Sequence, residues 1–147
     1  MDDPHDLQRF LDAQHNVYET ALTELQRGRK ASHWMWFVFP QVAGLGLSAM
    51  SLRYAIGSLD EARAYLDHPV LGPRLIAGVE AVNAVRGHSA HEIFGSPDDR
   101  KFQSCLTLFE RVADAPEVFG AALERYYGGQ RDARTLEVLR LPGGLGR

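Results

Sequence analysis

One cysteine, Cys105, stands in the whole chain. No intramolecular disulfide can form, and that sparing use of cysteine fits a reducing compartment. The acidic start Met1-Asp2-Asp3-Pro4 lacks the apolar stretch of a secretory leader, so the expected location is cytoplasmic. No apolar run approaches the ~20 residues that cross a bilayer, which excludes a helical span. An excess of basic charge is missing as well. Lys and Arg total 16 against 19 Asp and Glu, for a net charge of −3, so nothing global draws the chain to nucleic acid or to an anionic membrane. Local groups at Arg27, Arg29 and Lys30, and at Arg131, Arg134 and Arg140, read as solvated helix ends. The 6 histidines form no HExxH pair and no carboxylate-flanked pair one helical turn apart, so neither a metal nor a cofactor is implied. Period-two alternation is absent, as are Asn-Gly and Asp-Gly turns, and no significant sheet is expected.

What is present is helical. With 147 residues, 45% of them apolar, the chain can close one core. Leu7, Phe10, Leu11, Val17, Tyr18, Ala21, Leu22 and Leu25 recur at three and four, predicting one long helix from near Asp3-Pro4 to Gly28. Ser58-Leu59-Asp60-Glu61 and Ser89-Ala90-His91-Glu92 read as capping boxes. Ser96-Pro97-Asp98-Asp99 reads as N-cap Ser, Pro at the first helical position, then two acids on the positive helix end. Helices are also predicted over roughly 31–38, 48–56, the stripe from Leu71 to Val85, a segment opened by Asp114 to Glu117, and a last one capped by Asp132. The expectation is all-α: a single compact domain over 1–141 with about seven short-to-medium helices. A flexible tail is expected over 142–147, where Gly and Pro dominate.

The most distinctive stretch is Ser32-His33-Trp34-Met35-Trp36-Phe37-Val38-Phe39-Pro40-Gln41, which holds both tryptophans and is followed by Gly44-Leu45-Gly46. The segments SHWMWFVFPQ, GLGLSAMSLRYAI, EARAYLDHPVLGPRL, FGSPDDRKFQSCLTLF and YYGGQRDARTL follow in that order. In them the chain resembles a small bacterial family known as domain of unknown function 1810, over about Leu7 to Leu139. The resemblance implies a compact all-α fold and carries no activity or catalytic residue. The label calpastatin that some members bear does not suit this chain, since calpastatin is a disordered inhibitor and this sequence holds a core.

Two segments carry more chemistry than capping and packing require. In the first, His33, Trp34, Trp36 and Gln41 could stack on and hydrogen-bond a planar ring, or the aromatics could simply fill the core. On a helix, Trp34 and Trp36 would point ~200° apart and could not share a ligand. In the second, Asp98, Asp99, Lys101 and Ser104 could orient a ribose, act as acid and base, or only compensate the helix dipole. Cys105 lies on the apolar stripe with Phe102 and Phe109, which predicts a buried, inert thiol. If the two segments meet, they form a cleft suited to a nucleotide- or nucleoside-like small molecule, with or without a reaction. The alternative is a non-catalytic protein–protein interaction module anchored by exposed aromatics such as Tyr126 and Tyr127. Oligomeric state is left open, and no nucleic-acid or membrane partner is expected.

Overall fold

The apolar stripe of the first helix exists, but the helix is broken in two, α1 (Gln8–Gln14) and α2 (Tyr18–Gln26). Asn16 between them has φ 62°, the left-handed region that Asn enters more readily than most residues. The break has a packing reason. α1 lies against α3 (Met35–Val38) while α2 lies against α6 (Leu71–Asn83), and one straight rod could not serve both. The computed structural model describes residues 2–140, so the tail expected at 142–147 lies outside the described residues.

The rest of the chain adds α4 (Ala49–Tyr54), α5 (Leu59–Asp67), α7 (Ala90–Phe94), α8 (Asp98–Glu110), α9 (Val118–Tyr127) and α10 (Ala133–Arg140). Helix α8 is the centre, packed on α5, α7, α9 and α10. Its apolar face buries Phe102, Cys105, Leu106 and Phe109 completely, as the stripe predicted. Aromatic rings meet there in one edge-on pair, Phe39–Phe102 at 4.9 Å, and two stacked pairs, Phe94–Phe102 at 4.5 Å and Phe109–Phe119 at 5.9 Å between centroids. Such pairs add ~0.5–1.5 kcal/mol each beyond their area burial. The fold is thus an all-α domain in which, among the described residues, the only β pairing is an isolated bridge between Val42 and Ile56. Ile56 N–H donates to the Gln41 carbonyl at 2.8 Å, and Ala43 N–H to the Ile56 carbonyl at 2.9 Å. The bridge closes the neck of a flap formed by residues 43–55, which includes α4.

Three local expectations are corrected. The helix expected over 31–38 shrinks to the single turn of α3, because Trp34 at φ −145° and ψ 7° lies outside the helical region, while the N–H groups of Ala31 and Ser32 are held by the Glu24 carboxylate. The Ser58 box is half formed: the Ser58 hydroxyl accepts from Glu61 N–H. The Glu61 carboxylate instead accepts from Gly57 N–H and from Arg9, whose guanidinium sits 2.7 Å away. A charged partner at that distance outweighs the return bond to the cap. Ser96 is not an N-cap, because α8 begins one residue later than predicted, with Pro97 at that position. The Gly95 carbonyl takes the Asp99 N–H. The Ser89 box forms in full.

Candidate functional site

Residues of the two chemistry-rich segments part company in three dimensions. Trp34 belongs wholly to the core. Its indole Nε1 donates to Glu24 at 2.8 Å, so it is an anchor and not a stacking face for a ligand. Trp36, two residues on, is half-buried at the surface. Trp34 precedes α3 in a non-helical conformation and Trp36 lies within it, and the two differ in burial. His33 is exposed and does not line the cleft described below.

The acids also turn from a ligand role to an ordering one. Asp98 sits between two ammonium groups, with Lys30 at 2.9 Å and Lys101 at 3.5 Å. Lys30 in turn lies 5.1 Å from the centroid of the Trp34 ring, and Lys101 lies 5.3 Å from that of Trp36. Asp99 faces α7, with its carboxylate 3.4 Å from His91 Nδ1, and its own carbonyl accepts the Tyr127 hydroxyl. The expected role of Asp98 or Asp99 as a contact to a ribose, or as a proton acceptor, is not supported by this placement.

Gln41, Lys101 and Ser104 do converge. They line a cleft of about 230 Å³ between the flap, the first turns of α8 and the start of α10. The flap contributes Leu45, Gly46 and Ser51 to its wall. Gly46 is required there, since a Cβ at that position would lie 2.6 Å from the Ser51 hydroxyl. Ser104 is buried at the floor, its hydroxyl 2.7 Å from that of Thr135. Thr135 gives its own proton to Asp132, at 2.6 Å. The Ser104 proton therefore points to Thr135, and its oxygen is left able to accept from a ligand.

The sequence reading missed the cleft's strongest feature. Arg100 and Arg134 join Lys101 on its wall, with Asp132 as the acid. Among the described residues neither arginine forms an ion pair. Arg100 and Lys101 stand in the first turn of α8, and Arg134 in the first turn of α10. The helix dipole favours anions there and disfavours cations. The signal was available: with Asp132 read as a cap, Arg134 falls two residues later, at the wrong helix end for a stabilising charge. Asp132 does cap α10, accepting the Thr135 N–H at 2.9 Å.

A smaller compartment of about 90 Å³ adjoins the cleft under the flap and shares Gln41, Leu45, Gly46 and Ser51 with it. Its own walls are the side chains of Trp36, Val42, Leu52 and Tyr54. Elsewhere, the Cys105 thiol is fully buried, and burial pushes its pKa well up, away from reactive thiolate. Tyr126 and Tyr127, the expected interaction anchors, are half-buried. Their hydroxyls donate to the carbonyls of Val82 and Asp99, so they tie α9 inward. Among the described residues no group of three or more His, Cys, Asp or Glu could hold a metal ion, and no helix is long and apolar enough to cross a membrane.

Residues 4–139 match the family described as protein of unknown function (DUF1810). The chain is also similar to the conserved hypothetical protein Rv1873 from Mycobacterium tuberculosis, whose crystal structure superposes with a TM-score of 0.93. Identity is 54%, over 95% of this chain and 100% of that one. No curated protein matches the chain.

Proposed function

The chain belongs to the DUF1810 family, and from that premise we propose that it binds a small anionic molecule, nucleotide-like and phosphate-bearing, in the cleft between the flap, α8 and α10. One observation carries this reading. Arg100, Lys101 and Arg134 crowd the first turns of two helices, against the dipole of each. Lys101 has Asp98 at 3.5 Å, but among the described residues neither arginine has an ion-pair partner, and a local stability rule broken in a cleft without one is what a binding site leaves behind. An anion placed there would give both arginines a partner and add to the Asp98 contact of Lys101. Ser104 at the floor and the Gln41 amide add directed hydrogen bonds, and Trp36 adds an aromatic rim.

A thermal-shift series with nucleotides, nucleosides and sugar phosphates tests it. A ligand at 100 times its dissociation constant adds ~2.7 kcal/mol, which raises the melting temperature of a domain of this size by roughly 5–11 °C. Arg134→Gln and Lys101→Met should keep the fold and abolish the shift. A series in which uncharged nucleosides shift the melt as much as their phosphates, or in which both variants respond like the parent, rejects the reading. The interaction-module alternative rests on different residues from those expected: Leu47 and Leu52 on the flap are 91% and 62% exposed.

A further inference from the structure

Resting on the anion reading above, we infer that the cleft selects a phosphomonoester bearing a single planar ring, with the ring in the small compartment and the phosphate among the cations. The two compartments differ in chemistry and meet along one wall. The larger holds the arginines and Lys101. The smaller is walled by Trp36, Val42, Leu52 and Tyr54, with the backbone of the flap above it. Trp36 joins them physically, since it lines the smaller space while Lys101 sits 5.3 Å from its ring centroid. A molecule that fills both must therefore be apolar and flat at one end and anionic at the other.

Size narrows the class. At about 90 Å³ the small compartment lies below the roughly 150 Å³ of a cavity known to take benzene. The space is open toward the cleft along Gln41, Leu45, Gly46 and Ser51, so a single six-membered ring enters it only from that side and in part, and a fused purine leaves more of its surface outside. Gln41 lines both spaces, and its amide offers a donor and an acceptor to the ring's polar edge. Tyr54 also lines the small space, and its hydroxyl accepts from Arg53 at 3.2 Å. The same chemistry could arise from a pyrimidine nucleotide or from a simple aryl phosphate.

The test uses the full chain and compares uridine 5′-monophosphate, phenyl phosphate, adenosine 5′-monophosphate and ribose 5-phosphate by isothermal titration. At least one of the two single-ring esters should bind about tenfold tighter than ribose 5-phosphate, a gain of ~1.4 kcal/mol. The purine ester should gain nothing over the sugar phosphate. Whichever single-ring ester is tighter identifies the source, nucleotide or aryl phosphate. Equal binding of the purine ester, or no gain from any ring, overturns this inference while ribose 5-phosphate binding keeps the anion reading intact. Failure of every phosphate ester to bind overturns both. As a second arm, Leu52→Trp narrows the small compartment from an exposed position. It should erase the ring's gain and leave ribose 5-phosphate affinity unchanged, and a retained gain counts against the ring's placement.

Discussion

Glu24 is 8% exposed yet ionised, and it organises the most distinctive segment of the chain. Its carboxylate accepts from the N–H groups of Ala31 and Ser32, the Ser32 hydroxyl and the Trp34 indole, all within 3.0 Å. Burial alone would raise its pKa. The Ser32 hydroxyl, the Ala31 N–H, the Trp34 indole and the Ser32 N–H together more than reverse that and hold it down at about 2, against an ordinary 4.5. Because the folded value lies below the unfolded one, this stabilisation is complete above about pH 4.5 and drains away as pH falls toward 2. Glu24→Gln is expected to cost on the order of 2–4 kcal/mol near neutrality, since hydrogen bonds to charged groups contribute ~1.5–3 kcal/mol each and do not add fully. Urea unfolding at several pH values should show the gap between parent and variant shrinking as acid is added, whereas a constant gap would contradict the ionised, hydrogen-bonded carboxylate. Phe109, fully buried between Tyr65 and Phe119, makes the companion case. Phe109→Ala should cost about 3–5 kcal/mol, and a loss under ~1 kcal/mol would mean that the core closes over the gap.

At the scale of elements, the three-four stripes of α6, α8 and α9 and the Ser89 box were legible, because each depends on neighbours within a turn or two. The break between α1 and α2 was not. Nothing in the spacing from Leu7 to Leu25 distinguishes one helix from two, and the partners that force the break, α3 and α6, lie far along the chain. Asn16 tests the account. At φ 62° a β-carbon costs ~1–2 kcal/mol, a penalty that Asn partly escapes and Gly avoids. Asn16→Gly should therefore leave stability within a few tenths of a kcal/mol or raise it, and Asn16→Val should lower it by about 1 kcal/mol or more. If the two variants unfold at the same denaturant concentration, the left-handed turn is not what breaks the helix.

For the whole molecule, stability rests on one aromatic core around α8, in which Trp34, Tyr65, Phe10, Phe39, Phe102, Phe109 and Phe119 are all buried to within 2% exposure. The helical circular-dichroism spectrum is accordingly expected to survive both a strong chelator and a thiol reductant unchanged. Loss of signal with either would point to a metal or a covalent link that the core does not need. The cleft is a property of this scale as well. Gln41 comes from the neck that the flap closes on, Ser51 from the flap, Lys101 and Ser104 from α8, and Arg134 from α10, segments brought together only by the folded chain.

The all-α class, the family, the buried cysteine, the central stripe of α8 and the surplus polarity of Gln41, Lys101 and Ser104 could be read from residue order alone. These follow from short-range periodicity, capping and composition. Long-range packing sets the rest: Trp34 is core while Trp36 is half-exposed, Asp98 and Asp99 contact Lys30, Lys101, His91 and Tyr127, and Arg100 and Arg134 join Lys101 along the cleft. Charge and aromaticity are written in the sequence residue by residue. Which of them face each other depends on how distant helices cross, and those crossings are set by the packing of the core as a whole.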